Sequence, residues 1–151
     1  MTDKLILKKD HLTPFLRKLN KKYRLIGPRT NRHGDTLFSP IDTVDSLSFD
    51  LDRQPQNSLK QFMFPQSEIL FTYTVATPDK YEFKHTTNTL EPTVYFGVRS
   101  CDLSAILYMD VSFLQNTTDP HYLARRKNSV LIGLNCNNPF PNCFCNATKS
   151  G

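Results

Sequence analysis

The chain has 151 residues, which is enough for one domain with a single core and too few to favour two. Its composition, 38% hydrophobic and 22% charged, excludes a disordered or fibrous protein. No apolar run approaches the roughly 20 residues that a membrane span needs, and the apolar patch at residues 5–7 is too short for a signal peptide. We therefore expect a cytoplasmic protein whose four cysteines are reduced thiols or metal ligands.

The formal net charge of +5 originates in the first 34 residues. They hold ten Lys and Arg against Asp3 and Asp10, whereas the rest of the chain holds nine against twelve acids. Only Phe15 and Tyr23 accompany the early charges, and no nucleic-acid-binding motif is present. We interpret this segment as a solvated helix face, with an acidic protein partner as the alternative, and we expect no nucleic-acid partner.

The first predicted elements in chain order are a helix and a strand. Apolar residues at helical spacing predict an amphipathic helix over residues 13–22, with Thr13 as its N-cap and Pro14 at its first position. A strand then begins at residue 23, and the Gly-Pro pair at residues 27–28 should end it.

The next segment predicts short strands around one helical turn. Pro40 limits the alternating residues 37–52 to short edge strands, because proline cannot complete a central ladder. Residues 59–63 predict one or two helical turns before a proline stops them. Clusters of β-forming residues predict two further strands at residues 69–73 and 81–85.

A strand–helix–strand unit follows. Residues 93–98 and 129–134 are continuous apolar runs typical of buried strands, and residues 102–114 have helical periodicity between them. The connection is long enough for a parallel crossover. We therefore predict an α/β fold, with α+β as the alternative, consisting of a single domain over residues 1–151 whose mixed sheet contains a parallel βαβ unit.

All four cysteines belong to this unit or to the segment after it. Cys101 follows the first strand and Cys136 follows the second, so a parallel crossover places both at the carboxyl edge of one sheet, where ligand sites of α/β sheets lie. The turn-rich residues 137–142 then return the chain to Cys143 and Cys145. We expect the four sulfur atoms to converge on one centre.

Four thiolates suit soft metals, namely a [4Fe–4S] cluster, a [2Fe–2S] cluster or tetrahedral zinc. The spacing matches neither the compact ferredoxin run nor a paired CxxC ribbon, so it leaves the metal open. Ordinary buried cysteines are the structural alternative, but two cysteines in an Asn- and Pro-rich loop do not fit a core.

A reactive thiol is the alternative from another class of function. Cys101 should lie at the start of the helix that runs from Asp102, where backbone N–H groups and the helix dipole favour a thiolate. Arg99 adds a positive charge nearby. Both effects suit a negatively charged cluster, and both suit a redox enzyme with a reactive Cys101.

Other chemistry is set aside on spacing. Only five glycines occur, without GxGxxG or GxxxxGK[ST], so the chain should not bind NAD or ATP by itself. The four histidines form no HExxH or helical pair, although His121 remains a candidate for lining a cluster. Asp102 and Asp110 are about 12 Å apart along one helix, too far to form an acid/base pair. We expect no catalytic residues.

Several motifs resemble a family of iron–sulfur subunits that includes the beta subunit of cytosolic nickel–iron sulfhydrogenases and the corresponding iron–sulfur component of anaerobic sulfite reductase. The similar motifs, in order, are the Phe64-Pro65 pair with Glu68-Ile69-Leu70-Phe71, the run Tyr95-Phe96-Gly97-Val98-Arg99-Ser100-Cys101-Asp102-Leu103-Ser104-Ala105-Ile106, Met109 to Leu114, Asp119-Pro120-His121-Tyr122 with Arg125-Arg126, Ile132-Gly133-Leu134-Asn135-Cys136, and Cys143-Phe144-Cys145. They cover roughly residues 60–149. The family usually has proline at the position of Ser100.

The resemblance implies an iron–sulfur electron-transfer subunit with a 4Fe-4S-type cofactor. It would pass electrons between a flavin/NAD(P)-binding subunit and a catalytic hydrogenase or sulfite-reductase-type subunit. Family members continue into a carboxy-terminal domain with two ferredoxin-type clusters, and this chain has none of those cluster motifs. The resemblance therefore implies that residues 1–151 correspond to the amino-terminal part of a longer subunit.

Overall fold

The computed structural model of the chain describes residues 5–50, 52–78, 80–86 and 91–150. Its strands are β1 (Arg24–Thr30), β2 (Thr36–Pro40), β3 (Phe71–Thr77), β4 (Lys80–His85), β5 (Thr93–Arg99) and β6 (Ser129–Leu134). Its α-helices are α1 (Leu12–Asn20), α2 (Lys60–Met63), α3 (Ser100–Leu114), α4 (Pro120–Lys127) and α5 (Cys145–Thr148). None of the helices within these ranges is long and apolar enough to span a bilayer.

Four strands form a mixed sheet in the order β2-β1-β5-β6. β1 pairs with β2 antiparallel and with β5 parallel, and β5 pairs with β6 parallel. The chain passes from β5 to β6 through α3 and α4, a crossover of the length that parallel strands require. The predicted α/β fold, with a mixed sheet and a parallel βαβ unit, is confirmed.

Helices cover both faces of this sheet. On one face, α2, α3 and α4 bury a cluster made of Ile26, Phe38, Leu59, Met63, Tyr95, Val98, Ile106 and Tyr122. On the other face, α1 and the segment after β2 bury Leu16, Leu25, Ile41, Val44, Leu47, Val94 and Phe96. All seven residues of β5 are buried, as expected for a central parallel strand with both faces covered.

A β-bulge at Gly97 changes which face the end of β5 presents. Val94 and Phe96 pack on the α1 face, and strict alternation would put Val98 with them. Val98 packs instead on the α3 face, because the register with β6 shifts between Phe96 and Val98. Gly97 has φ +77°, a conformation that residues with a side chain rarely adopt.

Several predicted boundaries in the first half of the chain were wrong. The strand predicted to end at Gly27-Pro28 continues to Thr30, because beyond Ile26 β1 pairs only with β2 and Pro28 needs no donor on its other side. Helix α1 begins at Leu12 with His11 as its N-cap, so Thr13 does not cap it. Residues 37–52 supply one edge strand, β2, and then a single 3₁₀ turn.

The strands predicted near residues 69–73 and 81–85 are confirmed as β3 and β4, which form a separate two-stranded sheet. Every residue of this hairpin that the structure describes is exposed. Its apolar side chains are on one face, where Phe71, Tyr73 and Phe83 make edge and tilted ring contacts. The hairpin is remote from the cysteines in sequence and contributes no residue to the cavity that they line.

Replacing Gly97 by alanine should lower the free energy of unfolding by about 1–3 kcal/mol, because a side chain is strained at positive φ. The new Cβ would also lie 3.1 Å from Pro28 Cδ. Gly34→Ala is the matched control, since Gly34 has φ +88° but its nearest neighbour would be 3.8 Å from the Cβ. Urea unfolding should show a larger loss for Gly97→Ala, and equal losses would contradict the packing of Gly97 against Pro28.

Candidate metal centre

The register of β5 and β6 places two of the cysteines side by side. Arg99 at the end of β5 pairs with Leu134 at the end of β6. Cys101 and Cys136 each come two residues after this last pair. Both therefore leave the sheet at its carboxyl edge from neighbouring strands, as the sequence predicts, with no strand between them.

The start of α3 fixes the position of Cys101. Arg99 is the N-cap in an extended conformation, and Ser100 and Cys101 form the first turn of the helix. Ser58 Oγ donates a hydrogen bond of 2.7 Å to Asp102 Oδ1, which ties this turn to the segment that precedes α2. Ser100 occupies the first helical position, where proline is also favoured, so the departure from the family pattern preserves the start of the helix.

A compact turn positions Cys143. The backbone N–H of Phe140 donates to Cys143 Sγ at 3.3 Å, and the N–H of Cys143 donates back to the carbonyl of Phe140 at 3.0 Å. Asn142 has φ 72°, a conformation that asparagine tolerates better than most residues. An N–H group directed at sulfur is the kind of contact that stabilises thiolates in metal centres.

The loop from β6 is held near the sheet edge by its own hydrogen bonds. Asn138 Nδ2 donates to Asp52 Oδ1 at 3.0 Å, and Cys136 Sγ donates to the carbonyl of Asn138 at 3.5 Å. After the turn, Cys145 begins the short helix α5. The segment therefore folds back toward α3, as its turn-rich composition predicts.

All four cysteines line one cavity of about 510 Å³. Cys101, Cys136 and Cys143 are exposed, and Cys145 is partly buried. No three Cys, His, Asp or Glu side chains within the described ranges are grouped closely enough to hold a single metal ion. The structure thus brings the four cysteines to the same cavity, with their sulfur atoms around an open space.

The cavity carries one kind of charge. Its described lining contains a single charged residue, Arg99, and no carboxylate. The other lining residues are Gln54, Ser100, Pro139, Phe140, Pro141, Asn142, Phe144, Asn146, Thr148 and Ser150. Polar and apolar neutral groups around four thiols, with one cation, suit a centre with net negative charge.

The expectation that Cys101 favours the thiolate form was wrong. Desolvation at the cavity wall is the largest cause that raises the pKa of the Cys101 thiol above its usual value, and the carboxylate of Asp102 raises it further. Hydrogen bonds from the backbone N–H groups of Asp102 and Cys101 lower the pKa, but by less. Proximity to Cys145 adds to the rise, so these two cysteines interact.

Sequence reasoning missed one lining residue and misplaced another. Gln54 lines the cavity from the segment between β2 and α2, and no motif marks it. His121 does not line the cavity, since its Nδ1 is 3.8 Å from Glu68 Oε2 beside the Arg125–Glu68 ion pair. Asp110 is occupied by the Tyr122 hydroxyl at 2.7 Å and by Arg126. Among the described acids and histidines, none belongs to the cavity lining.

Fold and cavity together define an α/β domain with a four-cysteine cavity at the carboxyl edge of a parallel strand pair. The donor set fits a soft-metal cofactor, because Cys101, Cys136, Cys143 and Cys145 are free thiols around one space.

Comparison with known proteins identifies a curated relative. Sulfhydrogenase 2 subunit beta from Pyrococcus furiosus is 31% identical in an alignment of 146 residues, which covers 92% of this chain. The chain spans 39% of that relative's length. No protein-family model matches the chain, and no solved structure matches it. The similarity over most of the chain supports the resemblance to sulfhydrogenase beta subunits that the motifs indicate.

The raised pKa of Cys101 predicts the behaviour of the metal-free protein toward iodoacetamide. Alkylation requires the thiolate, so the pH midpoint of Cys101 alkylation should be higher than that of a cysteine in the unfolded chain. Asp102→Asn removes the carboxylate charge while keeping an acceptor for Ser58, and it should lower the midpoint. Mass spectrometry of the labelled peptide measures both values. A wild-type midpoint below that of the unfolded chain would contradict the assignment.

Proposed function

We propose that this domain binds an iron–sulfur cluster, of the 4Fe-4S type, through Cys101, Cys136, Cys143 and Cys145. The observation that carries the proposal is that all four cysteines line one cavity beside the carboxyl ends of β5 and β6. A bound cluster would supply reversible one-electron transfer. The role of the chain is to hold the four sulfurs, to direct the Phe140 N–H at one of them and to place Arg99 beside them.

The size of the cavity favours a cluster over a single zinc ion. Structural zinc holds four ligands at about 2.3 Å from sulfur, which requires the thiolates to be close together. Here no three candidate side chains in the described ranges form such a group, and the space between the cysteines is about 510 Å³. This arrangement leaves room for a cofactor of several atoms.

The charge environment argues against an enzyme with a reactive Cys101. A reactive thiol needs a lowered pKa, and both desolvation and Asp102 raise that of Cys101. In addition, no described histidine lines the cavity to act as a base. A ligand thiol does not need a low pKa in the free protein, because metal binding itself displaces the proton.

We propose further that the chain is a member of the sulfhydrogenase beta-subunit family and acts as a hydrogenase-associated redox subunit. The support is the similarity to the Pyrococcus furiosus subunit over most of the chain. In this role the domain would relay electrons between a flavin/NAD(P)-binding subunit and a catalytic hydrogenase or sulfite-reductase-type subunit. We place it in the cytoplasm, because all four cysteines are free thiols. Its position as the amino-terminal domain of a longer dicluster subunit stays a prediction.

Each of the variants Cys101→Ser, Cys136→Ser, Cys143→Ser and Cys145→Ser should lower bound iron and acid-labile sulfide together. The losses should not add in double variants, because removing one ligand already weakens the whole centre. Protein produced without oxygen, with iron and sulfide supplied, is assayed for both elements and by circular dichroism. Cys101→Ser should leave the helix content unchanged, since serine is compatible with a helix start.

Asn146→Ala is the matched control, because Asn146 lines the same cavity but offers no thiolate. It should retain the iron and sulfide of the wild type. Full cluster occupancy in any one of the four serine variants would remove that cysteine from the ligand set. Binding of one zinc ion per chain with no sulfide would replace the cluster with a structural zinc site.

A further inference from the structure

Arg99 is the charged residue at the wall of the cysteine cavity, and it is buried. Its residue surface is only 5% exposed, and the described residues of the buried class include no other charged side chain. A buried guanidinium is costly unless an opposite charge or strong acceptors stabilise it. The described lining of the cysteine cavity offers no carboxylate, so the anionic group that its walls can face is the set of thiolates or what they bind.

The fold holds Arg99 in this place by two constraints. The bulge at Gly97 reverses the alternation of β5, so Val98 packs under α3 and Arg99 follows it at the strand end. Arg99 is also the N-cap of α3, two residues before Cys101. It lines the cysteine cavity and also a second cavity of about 260 Å³ beside Phe96 and Leu134. The guanidinium is therefore part of the wall between the two cavities.

We propose that Arg99 sets the reduction potential of the centre by supplying the positive charge that stabilises its reduced form. This inference rests on the proposed cluster. When the centre accepts one electron from an external donor, its net charge falls by one unit, and no bond is made or broken. A fixed cation in a partly desolvated wall stabilises the more negative state, because the Coulomb interaction is screened less there than in water. The reduction potential is then higher than it would be without Arg99.

Arg53 provides a contrast within the same region. It lines the neighbouring cavity but not the cysteine cavity, and its side chain is 52% exposed. Its Nε is 3.1 Å from Asp50 Oδ2, so its charge is largely neutralised locally. Removing this charge should have little effect on the centre, although both residues are arginines close to the same sheet edge.

The test is an anaerobic redox titration of the reconstituted protein with dithionite as reductant. Arg99→Gln should reduce the equilibrium constant for one-electron reduction at least about tenfold, which corresponds to a shift of about 59 mV to lower potential. Arg99→Lys keeps the charge and should remain closer to the wild type. Arg53→Gln is the matched control and should match the wild type. Iron and sulfide content and circular dichroism are measured for every variant.

The outcomes separate a charge effect from a structural one. An unchanged potential in Arg99→Gln with full iron content would overturn the inference, and so would an equal shift in Arg99→Lys and Arg99→Gln. A wild-type chain that takes up no cluster would overturn the proposed function itself. If Arg99→Gln does not fold, Gln54→Glu decides the question, because it adds a negative charge to the same lining. It should lower the potential, and no shift would show that charge at the wall does not act on the centre.

Discussion

The carboxyl ends of β5 and β6 leave the sheet together, and this parallel pairing determines where the cysteines can meet. Because Arg99 and Leu134 are partners at the last position of the ladder, the chain turns away from both strands at the same height. Cys101 then enters α3 and Cys136 enters the loop toward Cys143. The buried side chains on the two faces of the sheet hold this register, since a slip of one residue would exchange its faces.

Charge and conformation at the end of β5 are linked by Gly97. The bulge keeps Val98 in the core under α3 and brings Arg99 to the N-cap position beside the cavity. Positive φ at Gly97 and its close approach to Pro28 leave no space for a side chain there. The same few residues therefore stabilise the fold and give the cavity its positive charge, which is why a neutral substitution at Arg99 separates the two roles better than one at Gly97.

Much of this arrangement could be predicted from the sequence, because its signals are local. Continuous apolar runs identified β5 and β6, and helical periodicity identified α3, so the shared position of Cys101 and Cys136 followed from topology alone. The path of β1 through Pro28 could not be predicted, since it depends on which neighbour pairs at that point. The raised pKa of Cys101 was missed for a similar reason: the helix start is visible in the sequence, whereas desolvation at the cavity wall is a tertiary effect. Gln54 has no local signal at all.

The central claim is that four cysteines at this sheet edge hold one iron–sulfur cluster. The most direct measurement is the visible spectrum of the chain purified without oxygen, together with its iron and sulfide content. The account predicts a brown protein with a broad visible absorption that bleaches on reduction, and with iron and sulfide present in equal amounts, as a [4Fe–4S] cluster requires. A colourless protein that contains neither element, after reconstitution with both, would contradict it.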